Sequence, residues 1–173
     1  MAYFDYTGGT NFSTEQAITT TADSTNVFDV TGAGAGNAPA MIGAGGLNTA
    51  LGFDIGAGDG VAAPEVLVVV TTAGTGAGTI SVSIAAAPDN GSYSAGTYVV
   101  LSTTAAFVGT SLTAGRVIKL PVPPIPPTLA LPRFYKLTYT VSGSATASFT
   151  ANLMLNAPDL RDATLYGNNY SVF

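Results

Sequence analysis

The chain has 173 residues, the length of one domain, and 47% of them are apolar, which is enough to bury a core. Ten Asp and Glu against five Lys and Arg give a net charge of -5, so we do not expect nucleic acid as a partner. The sequence contains no Cys, His or Trp, which excludes disulfides, thiolate or imidazole metal sites, and Ser-His-Asp or Cys-His catalysis.

Alternating apolar and polar residues predict an all-β chain. The predicted strands, in chain order, are Asn26–Val30, Glu65–Val70, Thr79–Ile84, Tyr98–Leu101, Val117–Val122, Leu137–Val141 and Phe149–Leu155, of which the first and fourth have the weaker pattern. Glu65–Val70 is apolar on both faces, which indicates a central strand that is covered on both sides. Gly and Pro occur too often for a long amphipathic helix. About eight antiparallel strands fit a β-sandwich of two packed four-stranded sheets.

Turn-forming residues separate these strands. Residues 73–78, Pro88–Gly91 and Ser142–Ser144 are predicted turns, because Gly, Pro, Asn and Ser favour tight reversals of the chain. Two longer stretches have no strand pattern. The Gly-rich residues 31–52 predict a long surface loop, and the Pro-rich residues 121–132 predict a stiff, extended segment with few backbone donors.

Aromatic residues are concentrated at both ends of the chain. We therefore divide it into an N-terminal arm over 1–12, a sandwich domain over 13–157 and a C-terminal arm over 158–173. Buried aromatic anchors are typical of protein interfaces, so we predict that the arms dock on a neighbouring protein; the alternative is that they fold back on their own sandwich. The predicted protein-interface residues are Tyr3, Phe4, Tyr6, Phe12, Pro123, Pro124, Pro126, Pro127, Tyr166, Tyr170 and Phe173.

No pattern in the sequence points to an enzyme, a cofactor or a metal. The acidic pairs Asp54/Asp59 and Asp159/Asp162 lie in loop-like sequence, and neither matches a calcium loop or the carboxylates of a glycosidase. The longest strongly apolar run is Val66–Val70, too short to span a membrane. Because residues 1–6 carry neither a basic nor an apolar signal segment, we expect synthesis without Sec-type export and no membrane partner.

Several segments occur in an order that resembles a known family. They are Phe12–Thr19, Ser24–Val30, Asp54–Gly58, Val66–Val70, Asp89–Tyr93, Leu112–Gly115 and Arg133–Tyr139. Together, over roughly residues 12–157, they resemble the jelly-roll capsid cement (decoration) proteins of tailed bacteriophages, of the Bordetella-phage type. The matched motifs are structural, so no individual contact residue carries over.

The resemblance implies a jelly roll with extended arms and no enzymatic activity. It implies a structural virion protein, made in the host cytoplasm, that binds the outer surface of an icosahedral capsid. There it would bridge neighbouring capsomers of the major capsid protein and stabilise the shell. We also expect a homo-oligomer, a dimer or a trimer, on the capsid, because a surface poor in charge suits a protein that is crowded against its own copies.

Two other functions remain open on the sequence. One is a carbohydrate-binding β-sandwich module, in which Tyr93 and Tyr98, beside a turn, would stack on sugar rings. The other is a fibre or pilus subunit that is completed by strand exchange with a neighbour. Coplanar exposed aromatic rings would favour the first function, and a concentration-dependent ladder of polymers would favour the second.

Overall fold

The fold is built almost entirely from antiparallel strands. The computed structural model describes residues 11–29, 65–92, 94–123, 126, 129–130 and 132–154. The predicted loop over 31–52 and nearly all of both predicted arms lie outside these residues. Within them, the all-β prediction is confirmed.

Ten strands and one short 3-10 turn make up the described secondary structure. They are β1 (Asn11–Ile18), β2 (Ala22–Asp23), β3 (Phe28–Asp29), β4 (Glu65–Thr75), β5 (Thr79–Ala87), β6 (Val99–Thr103), β7 (Phe107–Val108), the 3-10 turn (Gly109–Ser111), β8 (Val117–Pro121), β9 (Phe134–Ser142) and β10 (Thr146–Met154).

The strands form two sheets with the strand order of a jelly roll. The first sheet has the order β1-β10-β4-β8, and the second has the order β2-β9-β5-β6. β3 joins β2 along one edge of β9, and β7 joins β6 along the far edge of β5, so each sheet is four strands wide. Every pairing is antiparallel. The predicted sandwich of about eight strand positions is therefore confirmed.

The core fills the space between the two sheets. Alternate residues of the strands point inward, as expected for a period of two. Ile80, Val82 and Ile84 of β5 face Val66 and Val68 of β4 across the core, and all five are at most 1% exposed. Burial of each such side chain contributes about 1.5–3 kcal/mol before conformational entropy is subtracted.

The structure corrects the expected role of Phe12. This residue lies in β1, not in an arm, and its side chain is fully buried. Its ring packs edge-on against Phe28, with the ring centroids 6.4 Å apart. Because Phe12 is part of the core of its own sandwich, the prediction that it docks on another protein is wrong.

Candidate interaction surface

The exposed large apolar side chains of the described residues all lie on one side of the sandwich. They are Val99 and Val100 in β6, Val108 in β7 and Val117 in β8. β6 and β8 are edge strands of their sheets, and they contact each other. The Arg116 guanidinium, just before β8, lies 4.6 Å from the ring centroid of Phe107 in β7. These contacts bring the three strands together, and we call the four valines the valine edge.

The valine edge extends along most of the second sheet. Val99 lies opposite Ala86 near one end of β5, and Val108 lies opposite Thr79 at the other end. At a strand rise of about 3.3 Å per residue, these positions are about 20 Å apart. Val100, which is 59% exposed, is the most accessible of the four side chains.

β6 is an edge strand of the second sheet. One of its edges pairs with β5, and no other described strand pairs with the opposite edge. Proteins usually protect such edges with charges, Pro or bulges. Val99–Thr103 contains no charged residue and no Pro, but its pairing with β5 is irregular, because the register shifts between Ser102 and Val100. The edge strands of the other sheet carry further protection, since β8 contains Lys119 and Pro121, and the pairing of β1 has two register shifts.

A buried ion cluster at the start of β9 joins three segments. Arg133 Nε and Nη2 donate to the two carboxylate oxygens of Asp29, at 2.9 and 3.0 Å, and Arg133 Nη1 donates to Asp89. Asp29 is fully buried and Arg133 is 9% exposed. The pKa of the Arg133 guanidinium is raised, chiefly by its hydrogen bonds to Asp29, although burial acts in the opposite direction. The Arg133 guanidinium therefore stays charged and joins β3, the turn after β5 and the start of β9.

A second polar cluster lies on the outer face of the second sheet. Lys136 Nζ and Thr138 Oγ1 donate to the carboxylate of Asp23, at 2.6 and 2.7 Å. Burial raises the pKa of Asp23, but these two hydrogen bonds and the Lys136 charge outweigh it and lower the pKa overall. Lys136 Nζ also lies 4.4 Å from the ring centroid of Tyr98. That face of the half-buried ring is therefore occupied, which does not favour its use for stacking on a sugar.

Comparison with known protein families identifies the chain. The sequence model of the Bbp16 family matches residues 12–153, which is most of the chain. The chain belongs to the Bbp16 family. The family name indicates a protein of a Bordetella phage, in agreement with the phage family that the sequence resembles. No curated protein matches the chain.

The Bbp16 match coincides with the jelly roll. It begins at the second residue of β1 and ends one residue before the end of β10. The segment Arg133–Tyr139, which contributes to the family resemblance, contains the ion-cluster Arg133 and four buried apolar residues of β9: Phe134, Tyr135, Leu137 and Tyr139. These residues therefore maintain the fold, which agrees with the interpretation of the matched motifs as structural.

Few of the other predicted interface residues lie within the described part of this Bbp16-family chain. Pro123 and Pro126 do, and both are half-buried. The Pro126 carbonyl accepts a hydrogen bond from Leu129 N at 2.9 Å, and Leu129 packs against the core. This part of the Pro-rich segment thus lies against its own sandwich. The remaining predicted interface residues lie outside the described residues: Tyr3, Phe4, Tyr6, Pro124, Pro127, Tyr166, Tyr170 and Phe173.

The valine edge is absent from the sequence-based prediction. Its one local signal is the pair Val99-Val100, because adjacent residues of a strand point to opposite faces and one of them must leave the core. Exposure of Val108 and Val117 depends on which strands are edges, which the local pattern does not determine. Within the described residues, no helix has the length and apolarity needed to cross a membrane, and no three acidic side chains are grouped so as to hold a metal ion.

Proposed function

We propose that this Bbp16-family protein is a capsid cement protein without enzymatic activity, which binds the outer surface of a tailed-phage shell and bridges neighbouring capsomers. The match to the Bbp16 family over residues 12–153 is the observation that carries the proposal. Its partner is the major capsid protein, and it binds as a dimer or trimer. A protein that binds only the assembled shell stabilises that shell by mass action.

The valine edge is the surface we assign to the contact with the shell. Clusters of exposed apolar side chains mark interaction sites, and the edge of β6 that no described strand pairs with offers backbone donors and acceptors to a neighbouring strand. The net charge of -5 favours the outer face of the shell over the inner face, where packaged DNA would repel an acidic chain. On a symmetric shell, many weak contacts of this kind add up through multivalency.

The first experiment measures binding and shell stability together. The purified protein is mixed with shells assembled from the matching major capsid protein, sedimented, and the coated and bare shells are then heated. We expect saturable binding and a higher disruption temperature for coated shells. A folded protein that does not bind mature shells would contradict the proposed function.

A second experiment tests the valine edge separately. Val100→Lys places a charge at the most exposed side chain of the valine edge, whereas Ala17→Lys places the same charge at an exposed position of β1, at another edge of the sandwich. Both are surface substitutions, so each is expected to change the free energy of unfolding by less than about 0.5 kcal/mol. We expect Val100→Lys to lose shell binding and Ala17→Lys to keep it. Equal binding by both variants would reject the valine edge while leaving the cement function standing.

A further inference from the structure

The turn between β5 and β6 contains the one Asn-Gly sequence of the chain, Asn90-Gly91. Both residues are exposed, and Gly91 has a φ of +89°. A Cβ built on Gly91 would meet no atom within 4 Å, so there is open space around this residue. Because Gly has no side chain to hinder approach, its backbone nitrogen is the one best able to attack a preceding Asn side chain.

The chemistry available to this pair is deamidation. The Gly91 nitrogen, after losing its proton to solvent base, attacks Asn90 Cγ; the bond from Cγ to the side-chain nitrogen breaks and ammonia leaves. The resulting five-membered succinimide is opened by water at either carbonyl, giving aspartate or isoaspartate at position 90. The reaction needs water only, and either product adds a negative charge beside Asp89.

Three hydrogen bonds oppose this reaction in the folded chain. Gly91 N donates to Asp89 Oδ1 at 2.8 Å, so the attacking nitrogen is already engaged. The Asn90 side chain is held at both ends, because Oδ1 accepts from Ser92 N at 2.8 Å and Nδ2 donates to Ser94 Oγ at 2.6 Å.

The charge of Asp89 acts in the same direction as its hydrogen bond. A nearby carboxylate disfavours a second negative charge, and the attacking form of Gly91 is an amide anion. Asp89 is itself held by Arg133 through its other oxygen, Oδ2. The protection of the turn is therefore connected to the buried ion cluster at the start of β9.

We propose that Asn90 is a site of spontaneous deamidation whose rate the fold holds down through Asp89 and Ser94. Deamidation at Asn90 is slow while the turn and the ion cluster are intact, and it becomes fast when either of them is disrupted. This inference does not depend on the proposed capsid role. Isoaspartate at position 90 adds one atom to the backbone of the turn, and the loss of ammonia makes the change irreversible.

The test is a time course at mildly alkaline pH, analysed by mass spectrometry of the peptide that contains residue 90. Asn152, a strand residue followed by Leu in β10, serves as an internal reference in the same digest. In the folded wild-type chain we expect deamidation at Asn90 to be at least about tenfold slower than in the same chain unfolded in urea, a difference of ~1.4 kcal/mol in the barrier. Equal rates in the two states would overturn the proposal.

Two variants separate the effects of Asp89 and Ser94 on the deamidation rate at Asn90. Asp89→Ala is expected to raise the rate at Asn90 in the folded chain about tenfold, because it removes both the acceptor and the charge. Since it also alters the ion cluster, its thermal unfolding is measured first, and Ser94→Ala serves as the variant that leaves the cluster intact. We expect Ser94→Ala to raise the rate severalfold. If neither variant accelerates deamidation while both remain folded, the side-chain contacts do not protect Asn90 and the proposal fails.

Discussion

Arg133 fixes the start of β9 to two distant parts of the chain. Its guanidinium binds Asp29 of β3 with two parallel hydrogen bonds, and it also binds Asp89 in the turn after β5. The backbone contributes as well, since Arg133 N donates to the Ala87 carbonyl at 2.9 Å. A planar guanidinium suits this geometry better than an ammonium group, because it presents several donors in a fixed fork.

We predict that Arg133→Met destabilises the fold by about 3–5 kcal/mol, because it removes the cation and the two hydrogen bonds that Arg133 gives to the buried Asp29 carboxylate. Arg133→Lys keeps the charge but loses the paired hydrogen bonds, so its loss is expected to be intermediate. Lys119→Met is the matched control, since it removes a solvent-exposed pair with Glu65, at 3.9 Å, worth less than about 1 kcal/mol. Urea unfolding measures all three, and equal losses for the two Met variants would contradict the role of the cluster.

Tyr139 connects the core to the polar part of β1. Its ring stacks on Phe149 with the centroids 5.2 Å apart, and its hydroxyl donates to Ser13 Oγ at 2.9 Å. Ser13 in turn donates to Gln16 Oε1 at 2.7 Å. Burial raises the pKa of Tyr139 to about 12, although the Ser13 contact opposes this, and burial raises the pKa of Tyr135 to about 12 as well.

These raised pKa values predict a loss of stability at alkaline pH. In the unfolded chain a tyrosine ionises near pH 10, whereas in the folded chain the same two residues keep their protons to about pH 12. The unfolded state therefore binds fewer protons between these values, and stability falls by up to about 1.4 kcal/mol per pH unit for each tyrosine. Tyr139→Phe should cost about 1 kcal/mol at neutral pH and make the alkaline slope shallower. Urea midpoints from pH 8 to 12 measure both, and an unchanged slope in the variant would contradict the assignment.

At the scale of elements, the close approach of two turns depends on Gly76. This residue connects β4 to β5 with a φ of +86°, and a Cβ there would lie 1.6 Å from the Ser144 carbonyl oxygen in the turn between β9 and β10. Gly115 has a similar φ of +82° but nothing within 4 Å. Substitution of Gly115 therefore measures the loss of folding stability that comes from the backbone conformation alone. Substitution of Gly76 adds the steric clash with Ser144.

We predict that Gly115→Ala costs about 1–2 kcal/mol, the penalty of a left-handed conformation alone. Gly76→Ala should cost more than about 4 kcal/mol, because the Ser144 carbonyl belongs to the backbone and cannot move aside without disturbing the turn. Thermal or urea unfolding of both variants measures the difference. A similar loss of stability in both variants would mean that the turn containing Gly76 and the turn containing Ser144 move apart at little cost.

The strands with the clearest alternation were predictable, and the short or irregular ones were not. Glu65–Val70 is indeed a central strand, since β4 lies between β10 and β8. In the predicted strand Val117–Val122, the alternate residues Ile118, Leu120 and Val122 are buried. β1 escaped prediction because bulges interrupt its pairing and Glu15 has a φ of 47°, which break the alternation. β2, β3 and β7 have two residues each, too few for any periodic signal.

At the scale of the whole molecule, the interaction surface arises from topology. β6 and β7 form one edge of the second sheet, and β8 forms one edge of the first sheet. The jelly-roll order places these two edges on the same side of the sandwich, where β6 contacts β8. The position of each strand depends on its pairing with residues distant in the sequence. The sequence could predict the sandwich from local patterns, and the jelly roll from the family resemblance. Exposure along one side follows from long-range pairing, so the valine edge was visible only in the folded chain.

The composition of the valine edge predicts how shell binding responds to salt. A contact made by apolar side chains and backbone pairing is not screened by ions, whereas attraction of the net charge of -5 to a basic shell would be. The Debye length shortens from about 10 Å at 0.1 M to about 3 Å at 1 M salt. We expect the affinity for shells to change by less than about tenfold over this range. Cosedimentation at both salt concentrations measures it, with Lys119→Glu as a charge-reversal control on the same side. A steep loss of binding at 1 M salt, together with a large effect of Lys119→Glu, would show that charge and not the valine edge holds the protein on the shell.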